Sequence, residues 1–231
     1  MKKICNLTDE YLWDSYNYSI RKDKSQCRNM IFPEKKGKPR VSEQEARFAF
    51  VSILEKEKIL YSVETPTVEK YNFSGETGSK RSASTDLTIF DENINKMMNI
   101  EFKSHGISMK SKTQHKIEKD IEKLLREDVD GLWFHVFERV DTKTIGKLLS
   151  VFAKKIKYIS SQKKDIKEKT ICFHICVLSF GFSIFKCVNI KSGGEPDRML
   201  EENELRPPII KVSKGLVEIS SENGWSIHRH K

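Results

Sequence analysis

Apolar residues recur at helical spacing in several stretches of this chain and alternate or run together in the segments between them. Residues 9–20 predict a short helix burying Leu12, Trp13 and Tyr16. A stronger helix is predicted over Ser42–Lys58, where Ala46, Ala49, Phe50, Ile53 and Leu54 share one face. Ser42 followed by Glu45 is a capping-box pattern and marks its start. Residues 60–70 alternate as a strand does, and a polar stretch follows from Asn72 to Thr85. Two strand-like runs, 86–90 and 97–103, flank the polar residues Asp91–Lys96 and predict a hairpin. A helix over 112–127 places Ile117, Ile121, Leu124 and Leu125 on one face. A strand over Leu132–Val140 and a helix over 142–159 come next, then two strands within 170–189 joined near Gly181. The Gly- and Pro-bearing segment 190–208 reads as a loop, and 209–228 is β-like.

This order predicts an α/β fold with a mixed central β-sheet flanked by helices and a small C-terminal β appendage. Three parts are expected: an N-terminal helix and basic loop (1–40), an α/β core (41–190), and a loop with a β extension (191–231). A length of 231 residues suits one core of ordinary size.

Charge narrows the picture. The net charge is +9, and eight basic residues fall between Arg21 and Arg40. That stretch also holds Pro33, Gly37 and Pro39. It reads equally as an exposed basic loop that could grip phosphate or as a solubilising linker. No apolar run is long enough for a membrane span, and the polar residues after Cys5 argue against a secretory leader there. A soluble, cytoplasmic protein is the expectation. Five scattered cysteines read as reduced thiols, not as a disulfide framework. Cys172, His174 and Cys176 would share one strand face, but three ligands strung along one strand make a poor zinc cage.

The candidate chemistry lies in the hairpin. Glu101 and Lys103 stand two apart in a strand and therefore project to one side, with Phe102 to the other. A hairpin symmetric about Asn93 and Ile94 pairs positions that sum to 187, which sets Asp86 opposite Glu101. Two facing carboxylates repel unless a cation lies between them, and a hard divalent ion suits that place. Lys103 would reach the same spot as a compact ammonium.

Thr85-Asp86, fourteen intervening residues, and Glu101-Phe102-Lys103 resemble the signature of the PD-(D/E)xK, or restriction-endonuclease-like, nucleases, with Thr85 in place of the proline. In that superfamily a helix bearing a glutamate precedes the aspartate strand, and a second helix follows the lysine. Glu45 on the 42–58 helix matches the first, with Glu43 and Glu55 as alternatives on the same helix. The 112–127 helix, with its Lys119–Leu125 run, matches the second. The resemblance covers about Ser42–Val140 and implies hydrolysis of nucleic-acid phosphodiesters, DNA first, with Mg²⁺ or Mn²⁺. It implies Asp86, Glu101 and Glu45 as metal ligands and Lys103 as the catalytic cation. Lys80, Arg81, Lys110, Lys112 and Lys116 would then grip the backbone of the nucleic acid. A homodimer would suit cleavage of both strands. His105 and Gln114 lie close to the motif in sequence. A second literal Pro-Asp, Pro196-Asp197, has no Glu-x-Lys strand after it. The competing readings are a solvated Glu–Lys pair, a catalytically inactive nucleic-acid-binding protein, and an interaction subunit that retains the fold.

Overall fold

The computed structural model describes residues 1–21, 30–71, 81–104, 111–162, 167–190, 205–213, 216–220 and 224–230. His105 and the lysines at 80, 110 and the 22–29 segment, including Cys27, lie outside the described residues, as do the side chains of Arg81, Lys112, Gln114 and Lys116.

The chain opens with helix α1 (Lys2–Arg21), a turn and more longer toward the N-terminus than the apolar pattern indicates. A two-residue turn at Lys36-Gly37, both at positive φ, joins the short strands β1 (Glu34–Lys35) and β2 (Lys38–Pro39). Helix α2 (Glu43–Lys56) begins at the capping box as expected, with Ser42 and Glu45 bonded reciprocally. Strands β3 (Tyr61–Tyr71), β4 (Arg81–Phe90) and β5 (Lys96–Lys103) form an antiparallel meander. Helix α3 (Ser111–Arg126), β6 (Asp130–Phe137), α4 (Thr142–Gln162) and β7 (Lys169–Val177) add two parallel strands through helical crossovers. A 3-10 turn at Leu178–Phe180 and Gly181, at φ 61°, return the chain into antiparallel β8 (Phe182–Ile190).

Strand order in the seven-stranded mixed sheet is β11-β8-β7-β6-β5-β4-β3. The C-terminal extension divides its strands. β9 (Ile209–Ser213) and β10 (Leu216–Ser220) form a separate pair, whereas β11 (Ser226–Arg229) joins the main sheet beside β8. Among the described residues no helix is long and apolar enough to cross a membrane.

Alternation along the central strands divides the core into two layers. Leu87, Ile100, Phe102, Leu132 and Phe134 face α1 and α2. Trp133, Phe137, Ile171, Phe173 and Ile175 face α3 and α4. β6 and β7 are buried on both faces, as strands between two helical layers must be. On the second face the fully buried Phe152 of α4 lies edge-on to Trp133 at 4.9 Å and to Phe173 at 4.5 Å. Phe152→Ala should therefore cost about 3–5 kcal/mol. A lowered urea midpoint at unchanged slope is the expected reading, and an unchanged midpoint would contradict this packing.

The end of α3 is fixed to two strands. Buried Glu127 accepts from the backbone N–H groups of Val68 and Glu69 and from the Tyr71 hydroxyl, which holds the bulge in β3. Lys169 of β7 donates to the carbonyls of Leu124 and Glu127, placing a cation at the negative end of the helix.

One expectation is corrected. Cys172 and Cys187 sit directly opposite each other on β7 and β8 and are joined as a disulfide. Their pairing depends on strand register, which spacing along the chain does not reveal. Cys5 and Cys176 are free and buried.

Candidate active site

The pairings Leu87↔Ile100, Thr88↔Asn99 and Ile89↔Met98 all sum to 187, the register expected from the hairpin. A bulge next to Phe90 absorbs the turn, where Ile94 has positive φ. The ladder stops at Leu87↔Ile100. Beyond that point β5 continues beside β6 alone, with Glu101 level with Trp133 and Lys103 with His135. Where β4 parts from β5, the Asp86 carboxylate reaches across and Oδ2 accepts the Phe102 backbone N–H at 2.8 Å.

Phe102 points to the α2 side, edge-on to Phe50 at 5.4 Å. Glu101 and Lys103 therefore face α3, which meets them with Asp120 and Lys123. Lys103 Nζ lies 3.0 Å from Asp120, 3.7 Å from Glu43 at the start of α2, and 2.8 Å from the Phe102 carbonyl oxygen, to which it donates. Lys123 Nζ lies 2.7 Å from Glu101 Oε1 and 2.8 Å from Asp120, and it donates to the Ser84 carbonyl. Arg47 of α2 spans Asp86 and Glu64, each at 2.6 Å. Glu64 itself sits at φ 50°, where β3 is distorted opposite Asp86.

The expected Asp86↔Glu101 pairing does not form, because Asp86 turns to the Phe102 N–H, yet Asp86, Glu101 and Lys103 act on one another electrostatically where β4 parts from β5. The structure turns Glu45 elsewhere: the carboxylate accepts from the Ser42 backbone N–H at 3.0 Å and from the Ser42 hydroxyl. Glu43, one residue from the cap, is the α2 acid that approaches Lys103. Sequence reasoning missed Arg47, Asp120 and Lys123. The i, i+3 spacing of Asp120 and Lys123 was the available signal, since it puts both on one face of α3.

Electrostatics follow from burial. Glu101 is fully buried, and Oε2 accepts no hydrogen bond among the described residues. Burial first, then Asp120 and Asp86, push its carboxyl well above the usual range against the pull of Lys123 and Lys103. Burial by itself would lower Lys103, but Asp120, Glu101, Glu43 and Asp86 outweigh it and hold the amine above the ordinary lysine range. Lys103 is thus a fixed cation at neutral pH, not a base. Among the described residues five carboxylates, Glu43, Glu64, Asp86, Glu101 and Asp120, meet three cations, Arg47, Lys103 and Lys123.

The donors suit a hard divalent ion. Glu101 offers an unpartnered, buried carboxylate oxygen, and Asp86 is the acid nearest to it on β4. Ser104, the residue after Lys103, and Arg139 line a separate cleft of about 770 Å³ with Lys35, Lys36, Lys38, Arg40 and Glu138. Five of these lining residues are basic and one is acidic.

Comparison with known proteins returns no match: no family model, no curated protein and no solved structure corresponds to this chain.

Proposed function

We propose that this chain is a metal-dependent nuclease that hydrolyses nucleic-acid phosphodiesters, DNA first. The observation that carries the reading is the convergence of Asp86, Glu101 and Lys103 where β4 and β5 part, one residue along the chain from Ser104 on the wall of the basic cleft. Asp86 and Glu101 would hold Mg²⁺ or Mn²⁺, which supplies charge stabilisation at phosphate oxygens and a more acidic bound water. Lys103, positioned by Asp120 and Glu43, presents an ammonium to the attacking water or to the charge that develops on phosphorus oxygens. Lys35, Lys36, Lys38, Arg40 and Arg139 bind backbone phosphates, which gives affinity without sequence choice. Arg47 holds the Asp86 carboxylate in place.

A second reading, nucleic-acid binding without catalysis, draws on Arg47 and Lys123, which already neutralise Asp86 and Glu101. A cleavage screen decides between the two. Duplex, branched and single-stranded DNA and RNA would be incubated with Mg²⁺, Mn²⁺, Ca²⁺ or EDTA. Cleavage with Mg²⁺ or Mn²⁺ that stops in EDTA is the expected result. Salt-sensitive binding with no cleavage of any form would leave the second reading standing.

A further inference from the structure

A second cluster of chemistry-bearing side chains lies on the other half of the sheet, buried under α1. Asp9 of α1 and Cys176 of β7 are fully buried, and His230, just past β11, is 9% exposed. One ligand atom from each lies within 4.8 Å of the others. Neither ring nitrogen of His230 has a hydrogen-bond partner among the described residues. His174 of β7 approaches both Asp9 oxygens through Nε2, at 2.7 and 2.9 Å, and so holds the carboxylate in place. An imidazole left this dry is costly unless something satisfies it.

We propose that Asp9, Cys176 and His230 bind Zn²⁺, with His174 as the positioning residue that orients Asp9. The donor set decides the metal. Sulfur and imidazole nitrogen favour a borderline ion such as Zn²⁺ over Mg²⁺ or Ca²⁺, which take oxygen. In a zinc tetrahedron, bonds of about 2.0–2.3 Å set donors about 3.5 Å apart. Starting within 4.8 Å of one another, the donor atoms need to close by at most about 1.3 Å. Binding displaces the Cys176 thiol proton to solvent and leaves the fourth position to water. This ligand set differs from three residues strung along one strand. It joins a helix, a central strand and the C-terminal tail, so the ion ties α1 and β11 to β7. It is independent of the carboxylate site between β4 and β5.

Metal analysis of the purified full chain should find one zinc per protein. Chelator-stripped protein titrated with Co²⁺ should show a thiolate-to-cobalt charge-transfer band in the near ultraviolet. Cys176→Ser should abolish that band, whereas Glu101→Gln should keep it. His230→Ala alters only the tail beyond the last strand. It should weaken zinc binding at least tenfold while the far-ultraviolet circular dichroism stays unchanged, which keeps the test open if Cys176→Ser fails to fold. A wild-type chain that holds no zinc and gives no cobalt band overturns the proposal. So does a band that survives Cys176→Ser, or zinc affinity unchanged in His230→Ala.

Discussion

Replacing either Asp86 or Glu101 with alanine should lower cleavage at least about a thousandfold, about 4 kcal/mol of barrier. Both carboxylates would hold the same ion, so neither can substitute for the other. Their effects on stability should differ in sign, and this separates them from a generic surface pair. Asp86 accepts the Phe102 N–H and an Arg47 hydrogen bond. Removing it orphans a backbone donor and half-frees a cation, so Asp86→Ala should melt lower. Glu101 is the opposite case. Its carboxyl is raised, so its contribution to stability is present below the ordinary carboxylate range and is lost as pH rises through the raised value. Glu101→Gln abolishes that loss. In EDTA it should melt higher than the parent, by about 2–4 °C for each kcal/mol relieved, and by more in alkaline than in mildly acidic buffer. Thermal scans of both variants with and without Mg²⁺ would check the signs. Full cleavage by both alanine variants would remove the catalytic assignment.

Lys103→Ala should reduce turnover about 100–1000-fold with nucleic-acid affinity almost unchanged. Its ammonium is held between Asp120 and Glu43 and points into the carboxylate cluster, whereas the cleft cations lie along a separate wall. Losing it should alter the salt dependence of binding by only about one unit of slope. Arginine should rescue poorly. A planar fork cannot fit between two acids that grip a compact ammonium, and Lys103 is 14% exposed at its side chain. Single-turnover cleavage beside a binding titration in Ca²⁺ reads both quantities. Equal losses in rate and affinity would make Lys103 another phosphate contact.

Much of the site could be read along the chain because it is local. A short polar turn fixes hairpin register, and period-two alternation then sends Glu101 and Lys103 to one side. The residues that complete it come from other elements. Arg47, Asp120 and Lys123 sit on helices whose rotation over the sheet is set by packing, which no motif encodes. The resemblance points to Glu45 as the helix acid, whereas its place in the capping box is what turns it from Lys103. β11 is four residues with no apolar run, so its membership of the main sheet rests on the edge that β8 offers it. The Cys172–Cys187 pair likewise required the register of β7 against β8.

From β3 to β8, strands that are neighbours in the sheet are also neighbours along the chain. Each pairing therefore closes a single hairpin or one helical crossover, and closure entropy grows only slowly with such short spans. The parallel pairings still join distant residues, Met98 to Asp130 and Gly131 to Ile171, so they should form more slowly than the β3–β4–β5 meander. β11 is the exception. It passes over β9 and β10 before returning to β8, so its edge carries the longest closure in the sheet. Closure entropy therefore sets the β11 edge as the costliest pairing of the sheet, and the hairpins at β4–β5 and β7–β8 as its cheapest.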